Sequence, residues 1–156
     1  VEEIPPAEHI SHEGGIFEHE NLKWWIDINL TDGGIPKVGT SAGATFYVAL
    51  YSLLSGIPVK YGFTMTGAIE KSRRNAQAVG GVQEKIRAAI EAGLSEVMVP
   101  EANRPDVERM PEEDRHLIAI HFAKTPEDYL RCAFPSETRV VAYIEHISRM
   151  IASRSS

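Results

Sequence analysis

Residues 36–44 read PKVGTSAGA, a turn of small residues that sets Ser41 directly before an apolar segment. Residues 45–54 are apolar on nearly every side, which predicts a central helix that Gly56 and Pro58 bring to an end. Ser41 then lies at a helix N-terminus, where free backbone N–H groups and the helix dipole favour negative charge. A serine hydroxyl becomes a nucleophile when a base takes its proton and N–H groups hold the oxyanion. Ser41 is therefore the candidate nucleophile.

The composition limits the classes of partner. The 156 residues include 43% hydrophobic and 24% charged residues, which is typical of a globular domain. A net charge of -6 argues against nucleic acid as the main partner, because phosphate binding needs a basic surface. The single cysteine, Cys132, excludes an internal disulfide, which is compatible with a reducing compartment. We expect an intracellular location, in the cytoplasm or an organelle matrix. No apolar run approaches the roughly 20 residues that a membrane span needs, so we expect no membrane span.

The apolar pattern predicts one α/β domain over residues 21–156, preceded by an irregular lead-in at residues 1–20. The residues around 70–75 are charged and predict a hairpin-like loop. Strands are predicted at residues 23–30, 59–66, 96–100 and 117–122, the third of them a buried parallel strand. Helices are predicted at residues 45–54, 82–92, 105–110 (a brief turn) and 138–151, with a further helix start at Thr125.

A histidine is one candidate for the base that activates Ser41. Residues 39–43 satisfy the G-x-S-x-G pattern of the α/β-hydrolase elbow. A histidine and an orienting acid would complete it, and the chain offers His116, His121 and His146 with Asp106 or Asp114. However, the elbow requires a buried strand that runs straight into the serine, and residues 33–38 form a loop with Pro36. Taken alone, each histidine is typical of a surface or strand-edge residue.

Lys85 is the second candidate base. It lies on the predicted helix of residues 82–92, next to the inward-facing Ile86. A lysine has an ordinary pKa of about 10.4, and desolvation lowers it because burial disfavours the charged amine. Most lysines on amphipathic helices extend into solvent, so spacing alone does not decide between the two bases.

The first 20 residues also contain His9, His12 and His19 among several glutamates. Imidazole and carboxylate are zinc ligands, but no second cluster completes a site here. We interpret these histidines as solvated and expect no metal.

Several motifs together resemble the proteolytic domain of the Lon family. In order, they are Pro-Lys-x-Gly-x-Ser-Ala-Gly at 36–43, Met-Thr-Gly at 65–67, Gly-Gly-Val-Gln-Glu-Lys at 80–85, Ala-Ala-Ile-Glu-Ala-Gly-Leu at 88–94, Val-Pro-Glu-Ala-Asn at 99–103 and Ile-His-Phe at 120–122. They cover roughly residues 22–134. The resemblance implies a Lon proteolytic-domain-like α/β fold (ribosomal protein S5 domain 2-like), with mixed strands and packed helices.

The resemblance also implies a function, that of a serine endopeptidase. Ser41 and Lys85 would form a Ser-Lys dyad that hydrolyses peptide bonds through an acyl-enzyme, and the Thr66 hydroxyl would help to place the lysine. The supporting residues are the backbone around the nucleophile and the start of the lysine helix: Gly39, Thr40, Ala42, Gly43, Gly80 and Gly81. Gly39 and Gly43 would admit a substrate backbone, and Gly80 and Gly81 would let the helix begin near the nucleophile.

The implied partners are polypeptide substrates, an ATPase module in cis or in trans, and further copies in a homo-oligomeric ring of the complete protein. This chain has no phosphate-binding Gly-x-x-x-x-Gly-Lys-Ser/Thr loop, so we expect no ATPase domain and no cofactor in it. ATP and Mg²⁺ would act only through an ATPase module.

The chain departs from the family motif at Val38, Thr40 and Ala68, where an acidic residue, a proline and a glutamate are usual. A non-proteolytic Lon-like scaffold, used for assembly, is therefore the alternative in a different functional class.

Overall fold

The computed structural model describes residues 15–19, 22–26, 39–70, 75–136, 140–141 and 144–145, and the chain divides into two units, Val1–Val38 and Gly39–Ser156. In the first unit, strands β1 (Gly15–His19) and β2 (Leu22–Ile26) pair antiparallel. The predicted irregular lead-in is thus wrong over β1. The predicted strand at residues 23–30 is confirmed as far as Ile26, and the rest of it lies outside the described residues. The units divide at Val38, whereas the sequence places the start of its single domain at residue 21.

The second unit is built from alternating helices and short strands. Its elements are α1 (Gly43–Ser55), β3 (Phe63–Met65), β4 (Ala68–Glu70), β5 (Asn75–Gln77), α2 (Val82–Glu91), β6 (Glu96–Pro100), α3 (Arg104–Glu108), α4 (Glu112–Arg115), β7 (Ala119–Ala123) and α5 (Pro126–Ala133), with a 3-10 turn at Glu101–Asn103. Residues 140–141 and 144–145 are also helical, and the other residues of the helix predicted at 138–151 lie outside the described part. The mixed α/β class is confirmed.

A three-stranded parallel sheet in the order β3-β6-β7 forms the middle of this unit. The central strand β6 is the predicted buried parallel strand, and its side chains alternate between two apolar clusters. Met98 belongs to the cluster that α1 and α5 supply, and Val97 and Val99 belong to the cluster of α2 and α3. Helices therefore cover both faces of the sheet.

Most element boundaries follow the local signals. Helix α1 ends at Gly56, and α5 begins with the capping box in which Thr125 and Asp128 cap one another. Strands β4 and β5 pair antiparallel and confirm the predicted hairpin, whose tip, residues 71–74, lies outside the described residues. The described part contains no helix long and apolar enough to cross a bilayer.

Two predicted strands need correction, and one helix was not predicted. The strand predicted at residues 59–66 is shorter, because a turn at Tyr61 and Gly62 (φ 73°) delays the start of β3. The strand predicted at residues 117–122 begins at Ala119 and extends to Ala123. Helix α4 is not predicted, because it is short, buries no residue and has no apolar periodicity.

Candidate active site

Ser41 lies in a tight turn immediately before α1. The turn closes with a hydrogen bond from the Gly43 N–H to the Thr40 carbonyl (3.1 Å), and the Ala42 carbonyl accepts from Phe46 N–H (2.9 Å). Gly39 begins the turn at φ 103°, in the left-handed region that favours glycine. Ser41 as a whole is partly exposed at this turn.

Two backbone hydrogen bonds hold this turn to the segment after β3. Gly67 N–H donates to the Ser41 carbonyl (3.0 Å), and Ala44 N–H donates to the Gly67 carbonyl (2.9 Å). The segments also pack closely, because a Cβ on Gly43 would lie 3.3 Å from the Ile69 backbone nitrogen. The missing side chain of Gly43 thus admits the backbone of the same chain, and its expected role in admitting a substrate stays a prediction.

Lys85 projects from the first turn of α2 towards the same segment. Gly81 is the N-cap of α2 and has a left-handed backbone (φ 66°), and its carbonyl accepts from Lys85 N–H (3.1 Å). The Lys85 Nζ donates to the Gly80 carbonyl (3.1 Å) and to Thr66 Oγ1 (3.3 Å). The residues before the helix therefore help to orient the amine, which is partly exposed.

Thr66 stands between Lys85 and the Ser41 turn. Its side chain is 6% exposed, and its hydroxyl accepts from Lys85 Nζ and donates to the Ser41 carbonyl (3.4 Å). One hydroxyl can do both, since it has one donor and two acceptor positions. Among the described residues, no hydrogen bond joins Lys85 Nζ to Ser41 Oγ directly. The structure thus brings Ser41, Thr66 and Lys85 together through the threonine.

Tyr129 of α5 contacts the backbone of Thr66. It is not among the predicted site residues. Its side chain is fully buried, and its hydroxyl donates to the Thr66 carbonyl (3.1 Å). Burial raises the pKa of the Tyr129 phenol far above its ordinary value, so the group remains a donor. The sequence signal was a tyrosine on an apolar helix face, where a buried hydroxyl needs a partner.

Two of the three candidate histidines, His116 and His121, contact glutamates rather than Ser41. His121 Nε2 contacts Glu96 Oε2 (2.7 Å), and His116 Nε2 contacts Glu112 Oε1 (3.3 Å). The two candidate acids are engaged elsewhere, Asp114 by Arg87, and Asp106 by Asn103 and Arg109. Within the described residues, neither histidine bonds to Ser41 or to a candidate acid. His146 lies outside them.

Comparison with known proteins decides the family. A family model described as the Lon protease (S16) C-terminal proteolytic domain matches residues 7–136. The chain belongs to the Lon proteolytic-domain family. This match confirms the resemblance found in the motifs and extends it on the N-terminal side, from residue 22 to residue 7, so that the Lon domain includes β1.

Individual Lon proteases are similar over most of the chain. The Lon protease of Salinispora arenicola is 43% identical over 108 residues, which are 69% of this chain and 14% of that protein. The Lon protease of Desulfosudis oleivorans is 42% identical over 111 residues (71% and 14%), and that of Trichlorobacter lovleyi is 36% identical over 129 residues (80% and 16%). The chain thus spans about one seventh of the length of these curated relatives.

Proposed function

We propose that this Lon-type domain is a serine endopeptidase in which Ser41 attacks the peptide carbonyl and Lys85 is the base. The observation that supports this assignment most is the position of Thr66. Its hydroxyl lies 3.3 Å from Lys85 Nζ and 3.4 Å from the Ser41 carbonyl. One buried side chain therefore connects the two residues that the dyad requires.

The contacts of Lys85 suit a base of this kind. A neutral lysine amine has two N–H groups and one lone pair, and two acceptors, the Gly80 carbonyl and Thr66 Oγ1, lie within hydrogen-bond distance of Nζ. If these acceptors take both N–H groups, the lone pair is left for the Ser41 proton. A general base placed in this way accelerates proton transfer by about 10²- to 10⁴-fold.

The proposed reaction has two stages. Lys85 takes the Ser41 proton, Ser41 Oγ bonds to the scissile carbonyl carbon, and the N–H groups of Ser41 and Ala42 hold the oxyanion at the start of α1. The C–N bond then breaks as Lys85 returns the proton to the leaving amine, and an acyl-serine remains. In the second stage, Lys85 takes a proton from water, and the water oxygen bonds to the acyl carbon. The bond between that carbon and Ser41 Oγ then breaks, Lys85 returns the proton to Ser41 Oγ, and the product leaves as a carboxylic acid.

A fluorogenic peptide without stable structure tests the assignment. We expect Ser41→Ala to reduce hydrolysis to background and Lys85→Met to reduce kcat by about 10²- to 10⁴-fold, the contribution of a general base. The matched control is Lys124→Met, which removes an exposed lysine just after β7. His116→Gln and His146→Gln test the histidine mechanism, and both variants should hydrolyse the peptide at the normal rate.

The outcomes separate the function classes. Hydrolysis that survives Ser41→Ala or Lys85→Met contradicts the dyad. A wild-type chain that folds, cleaves no peptide and leaves Ser41 unreactive indicates the scaffold function instead. For the complete protein, we further propose polypeptide substrates, an ATPase module in cis or in trans that uses ATP and Mg²⁺, and a homo-oligomeric ring.

A further inference from the structure

Four polar side chains from separate segments meet outside the Ser41 site. Glu96 begins β6, His121 lies on the neighbouring strand β7, Cys132 lies on α5, and Lys60 precedes β3. Lys60 Nζ donates to Glu96 Oε2 (2.6 Å) and to Cys132 Sγ (3.7 Å), and His121 Nε2 lies 2.7 Å from the same glutamate oxygen. We call these four residues the Cys132 cluster.

Three members of the Cys132 cluster are metal-ligand types. One ligand atom from each of Glu96, His121 and Cys132 lies within 4.8 Å of the other two. Tetrahedral zinc, with ligands at about 2.0 to 2.3 Å, needs ligand atoms roughly 3.5 Å apart. The most distant ligand atoms therefore need to approach by about 1 Å at most, and His121 Nε2 and Glu96 Oε2, now 2.7 Å apart, need to separate by about 1 Å. Rotation about the side-chain bonds can supply both movements. A thiolate, an imidazole and a carboxylate together suit Zn²⁺ better than Mg²⁺ or Ca²⁺.

The scaffold holds these ligands while leaving them accessible. Glu96 and His121 lie on paired strands, in the register that places Met98 beside His121. Cys132 is partly buried on the helix that covers this face of the sheet. The side chains of Glu96 and His121 are 28% and 40% exposed, so an ion can enter from solvent.

We propose that Glu96, His121 and Cys132 bind Zn²⁺, with water in the fourth position, and that Lys60 is an internal cation that competes with the metal. In the metal-free chain, the Lys60 ammonium neutralises Glu96. When Zn²⁺ binds, the Cys132 thiol loses its proton to solvent, the sulfur and the Glu96 oxygen coordinate the metal, and Lys60 turns out into water.

Cobalt and zinc binding to the full chain tests the site. We expect Co²⁺ to give a thiolate-to-cobalt charge-transfer band, Zn²⁺ to displace it, and Zn²⁺ to raise the Tm. Cys132→Ser should abolish the band, and His121→Gln should weaken zinc binding by more than about 100-fold, beyond the effect of an outer-shell change. Lys60→Met should strengthen binding about two- to fivefold, because it removes a partly exposed ion pair that competes.

The matched control is His116→Gln, an exposed histidine that contacts Glu112 outside the Cys132 cluster. It should bind zinc like the wild type. The proposal is overturned if the wild-type chain gives no thiolate band, a readout that depends on no variant. It is also overturned if Lys60→Met weakens binding, or if Cys132→Ser and His121→Gln bind zinc normally. Normal binding by those two variants would assign the metal to other groups, such as His9, His12 and His19.

Discussion

Gly67→Ala is the substitution that tests the packing beneath the site most sharply. A Cβ at this position would lie 2.1 Å from the Tyr129 hydroxyl oxygen and 3.4 Å from the Ala44 Cβ. The normal separation of packed atoms is about 3.5 Å, so the tyrosine has to withdraw by more than about 1 Å. Tyr129 is fully buried, and its hydroxyl donates to the Thr66 carbonyl. This movement therefore breaks that hydrogen bond, at the residue whose side chain accepts from Lys85.

The expected magnitude follows from two terms. Overpacking costs about 1 to 3 kcal/mol, and the lost Tyr129 hydrogen bond costs about 1 kcal/mol, so Gly67→Ala should lower the free energy of unfolding by about 2 to 4 kcal/mol. Tyr129→Phe alone should cost about 1 to 2 kcal/mol, because it removes only the hydrogen bond. The double variant has no hydroxyl to collide with, and its residual contact is the ring carbon at 3.0 Å. The double variant should therefore lose about 1 to 2 kcal/mol less of the free energy of unfolding than the two single variants lose together, because residues in contact couple by such amounts.

Urea denaturation followed by far-UV circular dichroism measures all four forms of this cycle. The helical signal is the appropriate probe, because both tryptophans, Trp24 and Trp25, belong to the other unit of the chain. Peptide hydrolysis should fall with Gly67→Ala and recover in part in the double variant. Losses of stability that add to within about 0.5 kcal/mol would refute the proposed contact between Gly67 and Tyr129.

Three further substitutions test the local structure. Thr66→Val should lower kcat/KM about 10- to 100-fold, because it removes the hydroxyl that accepts a hydrogen bond from the Lys85 amine. Thr66→Ser keeps that hydroxyl and should retain most of the activity. Equal losses in the two variants would contradict a role for the hydroxyl. Asn103→Ala should lower the free energy of unfolding by about 2 to 4 kcal/mol in urea, because the 2%-exposed amide bonds both Val79 N–H and the Val79 carbonyl (2.9 Å each). A change below 0.5 kcal/mol would contradict that account. Asp128→Ala removes the acceptor for the Thr125 N–H (2.9 Å) and should cost about 1 kcal/mol, visible as a lower Tm. An unchanged Tm would show that the capping box contributes little.

The sequence predicts the elements whose signals are local. Gly56 and Pro58 mark the end of α1, and Thr125 and Asp128 mark the start of α5, because caps act within a few residues. The run Val97, Met98 and Val99 predicts a buried parallel strand, because a strand covered on both faces is apolar throughout.

Contacts between distant residues are not predictable in this way. The Tyr129 hydroxyl meets a carbonyl 63 positions earlier in the chain, and no local pattern indicates that partner. The same holds for the Cys132 cluster, in which Lys60 and Cys132 are 72 positions apart. The backbone that approaches Gly43, at residues 67–69, is likewise distant in sequence. The pairing of Ser41 with Lys85 as a dyad rests on the resemblance to the Lon family. Residue spacing alone does not decide between Lys85 and the histidines as the base.

Labelling by a serine-directed fluorophosphonate, with the modified residue located by mass spectrometry, tests the central claim most directly. We predict one adduct on Ser41, formed at least about 100-fold more slowly in Lys85→Met than in the wild type. An adduct on another residue, or a Lys85→Met chain that reacts at the wild-type rate, would contradict the Ser41–Lys85 mechanism.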